Sequence, residues 1–267
     1  MKYYEHSLTG PLTNYIQSLW AIESESENES YAKSQIMPDG IVEIIFHYGD
    51  PFFTYQDNNK SLQPMNFAIS MMRKYVEIES SGKTGFVSAR FYPWGAYHFF
   101  NEPIQNFLDQ TIDARKLWDG ESFKIIEELK TTNSIEQRFR LVELFLLHRL
   151  ADFKKPDTSI DEVIKLVRNE RGLLSIEEVC EKTSMSKKQL ERGFQATIGT
   201  TPKIFSRISR FLTICSNLQD HKGKTLSELS LECGYYDQAH FIKEFKEFSG
   251  YTPKEFFQKE NVYFSEI

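Results

Sequence analysis

Two short stretches near the end of this chain place long polar side chains at the spacing of one helix face. Each stretch combines cationic donors with an amide, a carboxylate or a small apolar group. Arginine and lysine donate to guanine, glutamine pairs with adenine, and glutamate accepts from cytosine, so this mixture suits the edges of nucleic acid bases. The residues are Lys187, Lys188, Glu191, Arg192 and Gln195 in the first stretch, and Gln238, Ala239, Ile242, Lys243 and Lys246 in the second.

A near-repeat in the sequence contains both stretches, as residues 174–202 and 225–253. The later halves of the two copies match at an offset of 51 positions, and the earlier halves match at an offset of 50. We expect the one-residue difference between Ser186 and the helix that follows it, where a turn can absorb it. The matched pairs are Leu190 with Phe241, Phe194 with Phe245, Gly199 with Gly250, Pro202 with Pro253, Val179 with Leu229 and Cys180 with Ser230.

Each copy has the pattern of an amphipathic helix, a short turn and a second helix, ended by a glycine and followed by a proline that begins the next helix. Gly234 supplies the backbone freedom for a sharp turn in the second copy. Ser186 and Asp237 are expected to cap the second helices. The sequence therefore predicts a duplicated helix-turn-helix, with inward stripes formed by Leu190, Phe194 and Ile198 and by Phe241, Phe245 and Phe248.

A helix is predicted between the copies, over Pro202–Asp220, because apolar residues recur there at helical spacing. A helix of that length spans roughly 25 Å at about 1.5 Å per residue. It could hold the two outward faces at a fixed separation, so that they enter successive major-groove faces about 34 Å apart.

The segment GYYDQAHFIKEFK at 234–246, continued by Gly250-Tyr251-Thr252-Pro253, resembles the C-terminal signature of the AraC/XylS family of bacterial transcription regulators. The segment LERGF at 190–194 resembles the matching part of the first helix-turn-helix, and the resemblance covers residues 157–260. It implies double-stranded DNA as a partner, with RNA polymerase and a second copy of the chain as further candidates. The DNA-contacting residues that it implies are Ser186, Lys187, Lys188, Glu191, Arg192, Gln238, Ala239, His240, Lys243 and Lys246.

Ala239 departs from the family pattern, which often has a longer polar side chain at this place. A methyl group can touch thymine but cannot donate a hydrogen bond. Base reading by the second helix therefore depends on its neighbours.

The first half of the chain has a different pattern, with strands first and helices last. This order resembles the cupin-like sensor domains that precede the DNA-binding module in the family. We therefore expect an α+β chain, with a β-rich domain over 1–153 and an all-α domain over 157–261, separated by the polar segment Asp152–Ser159. The expected strands are Tyr15–Ile22, Ile41–Tyr48, Met65–Met71, Tyr75–Glu79 and Phe86–Tyr92, and the expected helices are Ala96–Phe100, Ile104–Leu108, Phe123–Leu129 and Ile135–Leu150.

An aromatic cluster between the last strand and the first helix has two interpretations. It could line an effector pocket, formed by Phe91, Trp94, Tyr97 and His98, or it could be ordinary core. The long helix at 136–150 likewise has an apolar stripe that suits either core packing alone or a dimer contact as well. His47 and His98 lack the His-x-His and downstream Glu spacing of a metal-binding cupin, so we expect no metal and no cofactor.

The cysteines Cys180, Cys215 and Cys233 all fall at inward helical positions of the second domain, which favours buried thiols in a reducing cytoplasm. The N-terminal domain has no cysteine, which disfavours the methyl-accepting DNA-repair proteins that share this kind of helix-turn-helix. No apolar run approaches the ~20 residues of a membrane span, and the first residues lack a signal-peptide core. A cytoplasmic protein is expected.

The charge balance is unusual for a DNA-binding domain. The chain has a net charge of −6, and residues 157–261 contain 16 Lys and Arg against 16 Asp and Glu. DNA binding would then depend on local placement of cations. We expect one basic face formed by Lys187, Lys188, Arg192, Lys203, Arg207, Arg210, Lys243 and Lys246, with Glu177, Glu178, Glu228 and Glu232 turned away.

Three functions remain open from the sequence. The first is a sequence-specific transcription regulator, not an enzyme, that responds to a small-molecule effector through its N-terminal domain. The second is a cupin-type enzyme tethered to a DNA-binding module. The third is a protein-interaction module without direct DNA binding, which the neutral C-terminal domain would suit.

Overall fold

The structure is a computed structural model and describes residues 1–25, 32–56, 59–100, 102–118, 121–153, 155, 159–216 and 224–258. The predicted linker Asp152–Ser159 lies partly outside the described residues, as does the predicted end of the helix at residues 217–220. The stated domain limits at 153, 157 and 261 stay predictions.

Two antiparallel sheets form the first part of the chain. A six-stranded sheet has the order β1-β2-β9-β4-β7-β10, and a four-stranded sheet has the order β3-β8-β5-β6. The strands are β1 (Lys2–His6), β2 (Ile16–Glu23), β3 (Ser34–Ile36), β4 (Glu43–His47), β5 (Phe52–Gln56), β6 (Asn59–Leu62), β7 (Asn66–Ile69), β8 (Val76–Ser80), β9 (Gly85–Phe91) and β10 (Thr111–Asp113).

Helices follow the sheets, so the predicted α+β order is confirmed. The expected helices at 96–100 and 104–108 are single 3₁₀ turns, Ala96–His98 and Ile104–Phe107. The sequence pattern did not reveal β1, β3, β5, β6 and β10, which are short or polar. The α-helices are α1 (Glu121–Thr131), α2 (Ile135–Phe153), α3 (Ser159–Asn169), α4 (Ile176–Thr183), α5 (Lys187–Ile198), α6 (Pro202–Ser216), α7 (Leu226–Glu232), α8 (Gln238–Ser249) and α9 (Pro253–Phe256).

The six-stranded sheet has a dry core on one face, which α2 covers. Ile44 and Phe46 of β4 face this core together with Val142 and Leu146 of α2. The buried Trp118 ring lies parallel to Phe46 and donates its indole N–H to the Phe99 carbonyl oxygen at 3.1 Å, so its one polar atom is satisfied. Alternation along β4 therefore assigns every second residue to this core and the others to the opposite face.

The two predicted helix-turn-helix units are present as α4–α5 and α7–α8. Ser186 caps α5 and Asp237 caps α8, as predicted. The extra residue of the second copy lies before the cap, not after Ser186 as expected. Two residues separate the left-handed Ser184 from α5, whereas three separate the left-handed Gly234 from α8. The difference is thus absorbed in the turn that follows the left-handed residue.

Phenylalanine rings form the core of the second unit. Phe245 of α8 packs edge-on against Phe211 of α6 at 5.2 Å and against Phe256 of α9 at 5.0 Å between ring centroids. Phe241 and Phe248 of the same helix are also buried, which confirms the predicted inward stripe. Edge-to-face packing of this kind adds to the free energy gained by burying the rings.

A buried carboxylate fastens α8 to its neighbours. Glu244 is only 2% exposed, and it accepts hydrogen bonds from Arg207 Nε at 2.6 Å and from the Tyr235 hydroxyl at 2.8 Å. Burial lowers the pKa of the Arg207 guanidinium, but the bonds and charges of Glu244 and Glu247 outweigh that effect and raise it. Burial and the Glu244 charge also raise the pKa of Tyr235 above its usual range. The Arg207 guanidinium therefore keeps its charge in this partly buried site.

The C-terminal helices also contact the N-terminal sheets. Met37 and Met71 are buried in the same apolar core as α3 and α6. Gly199 and Gly250, the left-handed residues that end α5 and α8, lie against the N-terminal part. A Cβ at Gly199 would lie 2.9 Å from the Ile104 carbonyl oxygen, and one at Gly250 would overlap the Tyr75 ring. The equivalent position of each repeat is thus in contact with the N-terminal part.

We expect Phe245→Ala to lower the free energy of unfolding by about 3–5 kcal/mol, because it leaves a cavity among the phenylalanine rings packed against it. Urea unfolding followed by circular dichroism measures the change. Tyr236→Ala is the control, since the Tyr236 side chain is 90% exposed and its loss should change stability little. A Phe245→Ala protein as stable as the parent would contradict this assignment of the core.

A matched pair of substitutions tests the buried carboxylate. Glu244→Gln should destabilise the protein by about 2–4 kcal/mol, because it removes the buried negative charge that accepts from both Arg207 and the Tyr235 hydroxyl. Glu247→Gln removes a bond to the same guanidinium from a carboxylate that is 43% exposed, and it should cost less than about 1 kcal/mol. If urea unfolding gives the same loss of unfolding free energy for both substitutions, the buried carboxylate does not stabilise the protein more than the exposed one.

Candidate nucleic-acid interface

The outward face of α5 presents the first predicted reading set. Lys188, Glu191 and Arg192 are all exposed, and Lys188 lies one helical turn before the other two. Leu190 and Phe194 on the other face are buried. The Ser186 hydroxyl accepts from the Gln189 backbone N–H, and the Gln189 side chain accepts from the Ser186 backbone, as in a capping box. The capping box thus fixes the start of α5 at Lys187, and the exposed Lys187 and Lys188 are the first residues of its outward face.

The outward face of α8 presents the second set. Gln238, Ala239, His240, Lys243 and Lys246 are all exposed. The Gln238 amide oxygen accepts from the Ser227 hydroxyl at 2.9 Å, which orients the side chain and leaves its N–H groups to donate outward. His240 Nε2 lies 3.8 Å from Glu244 Oε2. All ten predicted DNA-contacting residues therefore lie on the surface, and their contacts with DNA stay a prediction.

The expected basic face has fewer members than the sequence indicated. Arg207 pairs with Glu244 and Glu247, and Arg210 Nη1 donates to the Gly172 carbonyl oxygen at 2.9 Å. These two guanidinium groups connect elements within the domain and are only 23% and 17% exposed. The exposed cations of the expected face are Lys187, Lys188, Arg192, Lys203, Lys243 and Lys246.

Two of the four carboxylates expected to point away from the basic face are hydrogen-bonded to backbone N–H groups at helix N-termini. Glu178 and Glu228 each accept from the backbone N–H of their own cap, Ser175 and Thr225, at 2.8 Å. Those backbone bonds lower the pKa of both carboxyl groups. Their charges thus compensate the N-termini of α4 and α7.

Tyr236 is a surface residue that sequence reasoning did not select. Its side chain is 90% exposed immediately before the α8 cap, whereas the adjacent Tyr235 is buried. A large exposed aromatic ring beside the outward face could contact a sugar or a thymine methyl group. The Tyr-Tyr pair in the turn was the available signal, because only one of two adjacent residues can face the core.

The aromatic residues proposed as an effector pocket are in a different environment from the one expected. Phe91 and His98 are fully buried in the protein core, which agrees with the alternative interpretation. His98 Nδ1 lies 2.9 Å from the Lys155 carbonyl oxygen, and its Nε2 lies 4.0 Å from Asp161 Oδ2. The Trp94 indole N–H donates to the Asn14 carbonyl oxygen at 3.1 Å, and Lys155 Nζ lies 4.1 Å from the centroid of the Tyr97 ring. None of the four residues lines the cavity described next.

A cavity of about 1080 Å³ lies between the two sheets. Its volume is at the upper end of the range for small-molecule sites. Residues of α6 and α8, including Ile204, Arg207, Leu212 and Glu247, complete the wall. The C-terminal half thus forms part of this cavity. Its apolar lining includes Trp20, Ile45, Phe52, Phe67, Met72 and Phe86.

Polar side chains also belong to this lining. Arg90 Nε donates to Glu43 Oε1 at 2.8 Å, and the Trp20 indole N–H donates to the same oxygen at 3.3 Å. His47 is buried among aromatic rings, and burial lowers its pKa to about 4 despite a hydrogen bond with Gln63. The signal for this site was the alternation of Glu43, Ile45 and His47 along one predicted strand, opposite the core residues.

The described residues hold no group of three or more His, Cys, Asp or Glu side chains placed to bind a metal ion. Within the same residues, no helix combines the length and the apolar character that crossing a membrane requires.

Comparison with known proteins agrees with the two-part structure. Residues 179–259 match a helix-turn-helix domain family, and residues 5–113 match a domain family of unknown function, DUF6597. An uncharacterized HTH-type transcriptional regulator of Haemophilus influenzae is 29% identical over 116 residues, which are 43% of this chain and 37% of that protein. The HTH-type transcriptional activator RhaR of Escherichia coli is 27% identical over 123 residues, 43% of each chain.

The chain thus spans about two fifths of the length of the curated relatives that it matches. Among solved structures, ToxT from Vibrio cholerae is similar over 96% of this chain and 98% of its own, with a TM-score of 0.49 and 8% identity. A second ToxT structure, with an unsaturated fatty acid bound, has a TM-score of 0.44 and 10% identity over 90% of this chain and 93% of its own. The duplicated helix-turn-helix and its signature residues are thus similar to those of the AraC/XylS family of transcription regulators, and the matching helix-turn-helix domain family agrees with that resemblance.

Proposed function

We propose that this protein is a sequence-specific DNA-binding transcription regulator whose N-terminal half senses a small molecule. The observation that carries the proposal is the pair of capped helices, α5 and α8, which expose polar side chains on one face and bury aromatic and aliphatic side chains on the other. Its partner is double-stranded DNA. RNA polymerase and a second copy of the chain remain predicted partners, and the cytoplasm remains the predicted location.

The polar groups on these faces match what base edges require. Arg192 can donate two hydrogen bonds to guanine, Glu191 can accept from cytosine, and Gln238 can donate to adenine N7. Lysines at the start of α5 and along α8 suit phosphate oxygens, which position a protein without specifying sequence. Side chains of both kinds occur on each helix, so each helix can take one half-site.

The neutral charge balance of the C-terminal half affects how tightly the protein should bind random duplex DNA. Nonspecific affinity arises from neutralised phosphates, and only about six exposed cations are available on the expected face. Binding to random duplex DNA should therefore be weak and should fall as salt rises. Specific binding should depend more on base contacts than it does in strongly basic regulators.

The cavity is the proposed effector site, in place of the aromatic cluster around Trp94. Its wall includes Arg207, which is bound to Glu244 and Glu247 of α8. A molecule in the cavity would therefore touch a side chain that holds the second reading helix. This contact supplies a route from the N-terminal half to DNA, with the part of the chain before residue 153 as sensor.

Selection of bound sequences from a random duplex pool, followed by footprinting, tests the proposal. We expect one enriched motif with two half-sites, protected on one side of the duplex. A pool that stays random after several rounds, with no duplex retained at low salt, would favour the protein-interaction alternative.

Arg192→Ala should weaken binding to the selected duplex by about 1–3 kcal/mol and relax preference at one or two base pairs. The matched control is Arg140→Ala, which removes the same charge from an exposed position on α2 and should leave affinity and preference unchanged. Fluorescence anisotropy against the selected duplex and its single-base variants measures both quantities. If Arg192→Ala keeps the parent's affinity and preference, α5 is not the reading helix.

A further inference from the structure

The charged side chains that line the interior of the cavity are already neutralised by partners. Arg90 is bound to Glu43 at 2.8 Å, and both side chains are nearly buried, at 12% and 13% exposure. Burial lowers the pKa of Arg90, but the charge and hydrogen bond of Glu43 outweigh this effect and raise it, so the guanidinium keeps its charge. A ligand carboxylate bound to this guanidinium would lie beside the Glu43 carboxylate, and the repulsion between two like charges in an apolar surrounding is unfavourable.

The other arginines of the lining are also committed. Arg73 Nε donates to Asp109 Oδ2 at 2.6 Å, and Arg207 is bound to Glu244 and Glu247. Lys2 and Lys74 line the cavity too, but both are exposed to water, which screens their charge. The interior therefore presents no uncompensated cation, among the residues that the structure describes, to attract an anion.

His47 supplies a hydrogen-bond acceptor to the same cavity. The Gln63 amide nitrogen donates to the Thr54 hydroxyl oxygen at 3.0 Å, so the Gln63 amide oxygen faces His47 Nε2 at 3.3 Å. Nε2 must then carry the ring proton, and Nδ1 keeps a free lone pair. Nδ1 is buried and has no hydrogen-bond partner in the described structure. His47 is a lining residue of the cavity, and an unsatisfied buried acceptor on such a residue is what a ligand donor would complete.

We infer that the cavity binds a neutral molecule with an apolar body and one hydroxyl or N–H group, which donates to His47 Nδ1. This inference rests on the proposed sensing function and names the class of effector. The apolar body would pack between Trp20 and the phenylalanines Phe52, Phe67 and Phe86. The Arg90–Glu43 pair would remain intact beneath it and reject anions.

Three naphthalene derivatives of similar shape test the hydrogen bond and the exclusion of anions separately. The full-length protein is titrated calorimetrically with 2-naphthol, 2-methoxynaphthalene and 2-naphthoate. The first is neutral at pH 7 and can donate, the second cannot donate, and the third is an anion. We expect 2-naphthol to bind about tenfold tighter than the methoxy compound, the worth of one hydrogen bond. It should bind about a hundredfold tighter than the anion, whose burial is unfavourable.

A pair of substitutions locates the acceptor. His47→Phe retains a flat ring and removes the nitrogen, so it should reduce 2-naphthol affinity about tenfold and leave 2-methoxynaphthalene unchanged. The matched control is His148→Phe, at an exposed position of α2, which should change neither affinity. Circular dichroism verifies that each variant is folded. The probe series in the unsubstituted protein tests the inference even if His47→Phe does not fold.

Three results would overturn the inference. Binding of 2-naphthoate as tight as that of 2-naphthol would disprove the exclusion of anions. Equal affinities for 2-naphthol and 2-methoxynaphthalene would remove the role of His47. Absence of binding by all three probes would mean that the cavity is not an apolar ligand site. DNA enters none of these titrations, so their failure is distinct from failure of the DNA-binding function, which sequence selection measures separately.

Discussion

The arrangement of the C-terminal half depends on one buried charge, the carboxylate of Glu244. A buried carboxylate is stable only when opposite charges and hydrogen bonds surround it. Arg207 of α6 and the Tyr235 hydroxyl of the preceding turn meet that requirement. The positions of α6 and of the Tyr235 turn relative to α8 therefore depend on the direction and length of these hydrogen bonds, as well as on the packing of the aromatic core. The hydrogen bond from Arg207 of α6 to Glu244, on the inward face of α8, thus helps to fix which face of α8 points outward.

The same arginine connects this network to the N-terminal half. Arg207 borders the cavity between the sheets, together with Leu212 of the same helix. Alternate residues of β4 divide between two environments, because Ile44 and Phe46 face the core while Glu43 and His47 face the cavity. One face of the sheet thus packs against the core and the other lines the cavity, and α6 joins that cavity to α8, the second helix proposed to read DNA.

Much of the C-terminal architecture was predictable from sequence because its signals are local. Caps such as Ser186 and Asp237 and the stripe that includes Phe245 lie within a few residues of the features they determine. The pairing of Arg207 was not predictable, since its partner Glu244 is 37 positions away and only the folded chain brings them together. The cavity was missed for the same reason, because strands that extend from β1 at Lys2–His6 to β10 at Thr111–Asp113 contribute its walls and several of them are short and polar. The aromatic density around Phe91 suited either a pocket or ordinary core, and the full burial of Phe91 and His98 agrees with core.

The two glycines that end α5 and α8 have a consequence for the mode of response. Gly199 and Gly250 are the same position of a duplicated unit, and each is held against the N-terminal half, by the Ile104 carbonyl and by the Tyr75 ring. A rotation of one half against the other would have to separate both contacts together. The two helices proposed to read DNA would then lose their contacts with the N-terminal half in one step. A duplicated domain anchored at both copies is thereby suited to a response in which both copies move together.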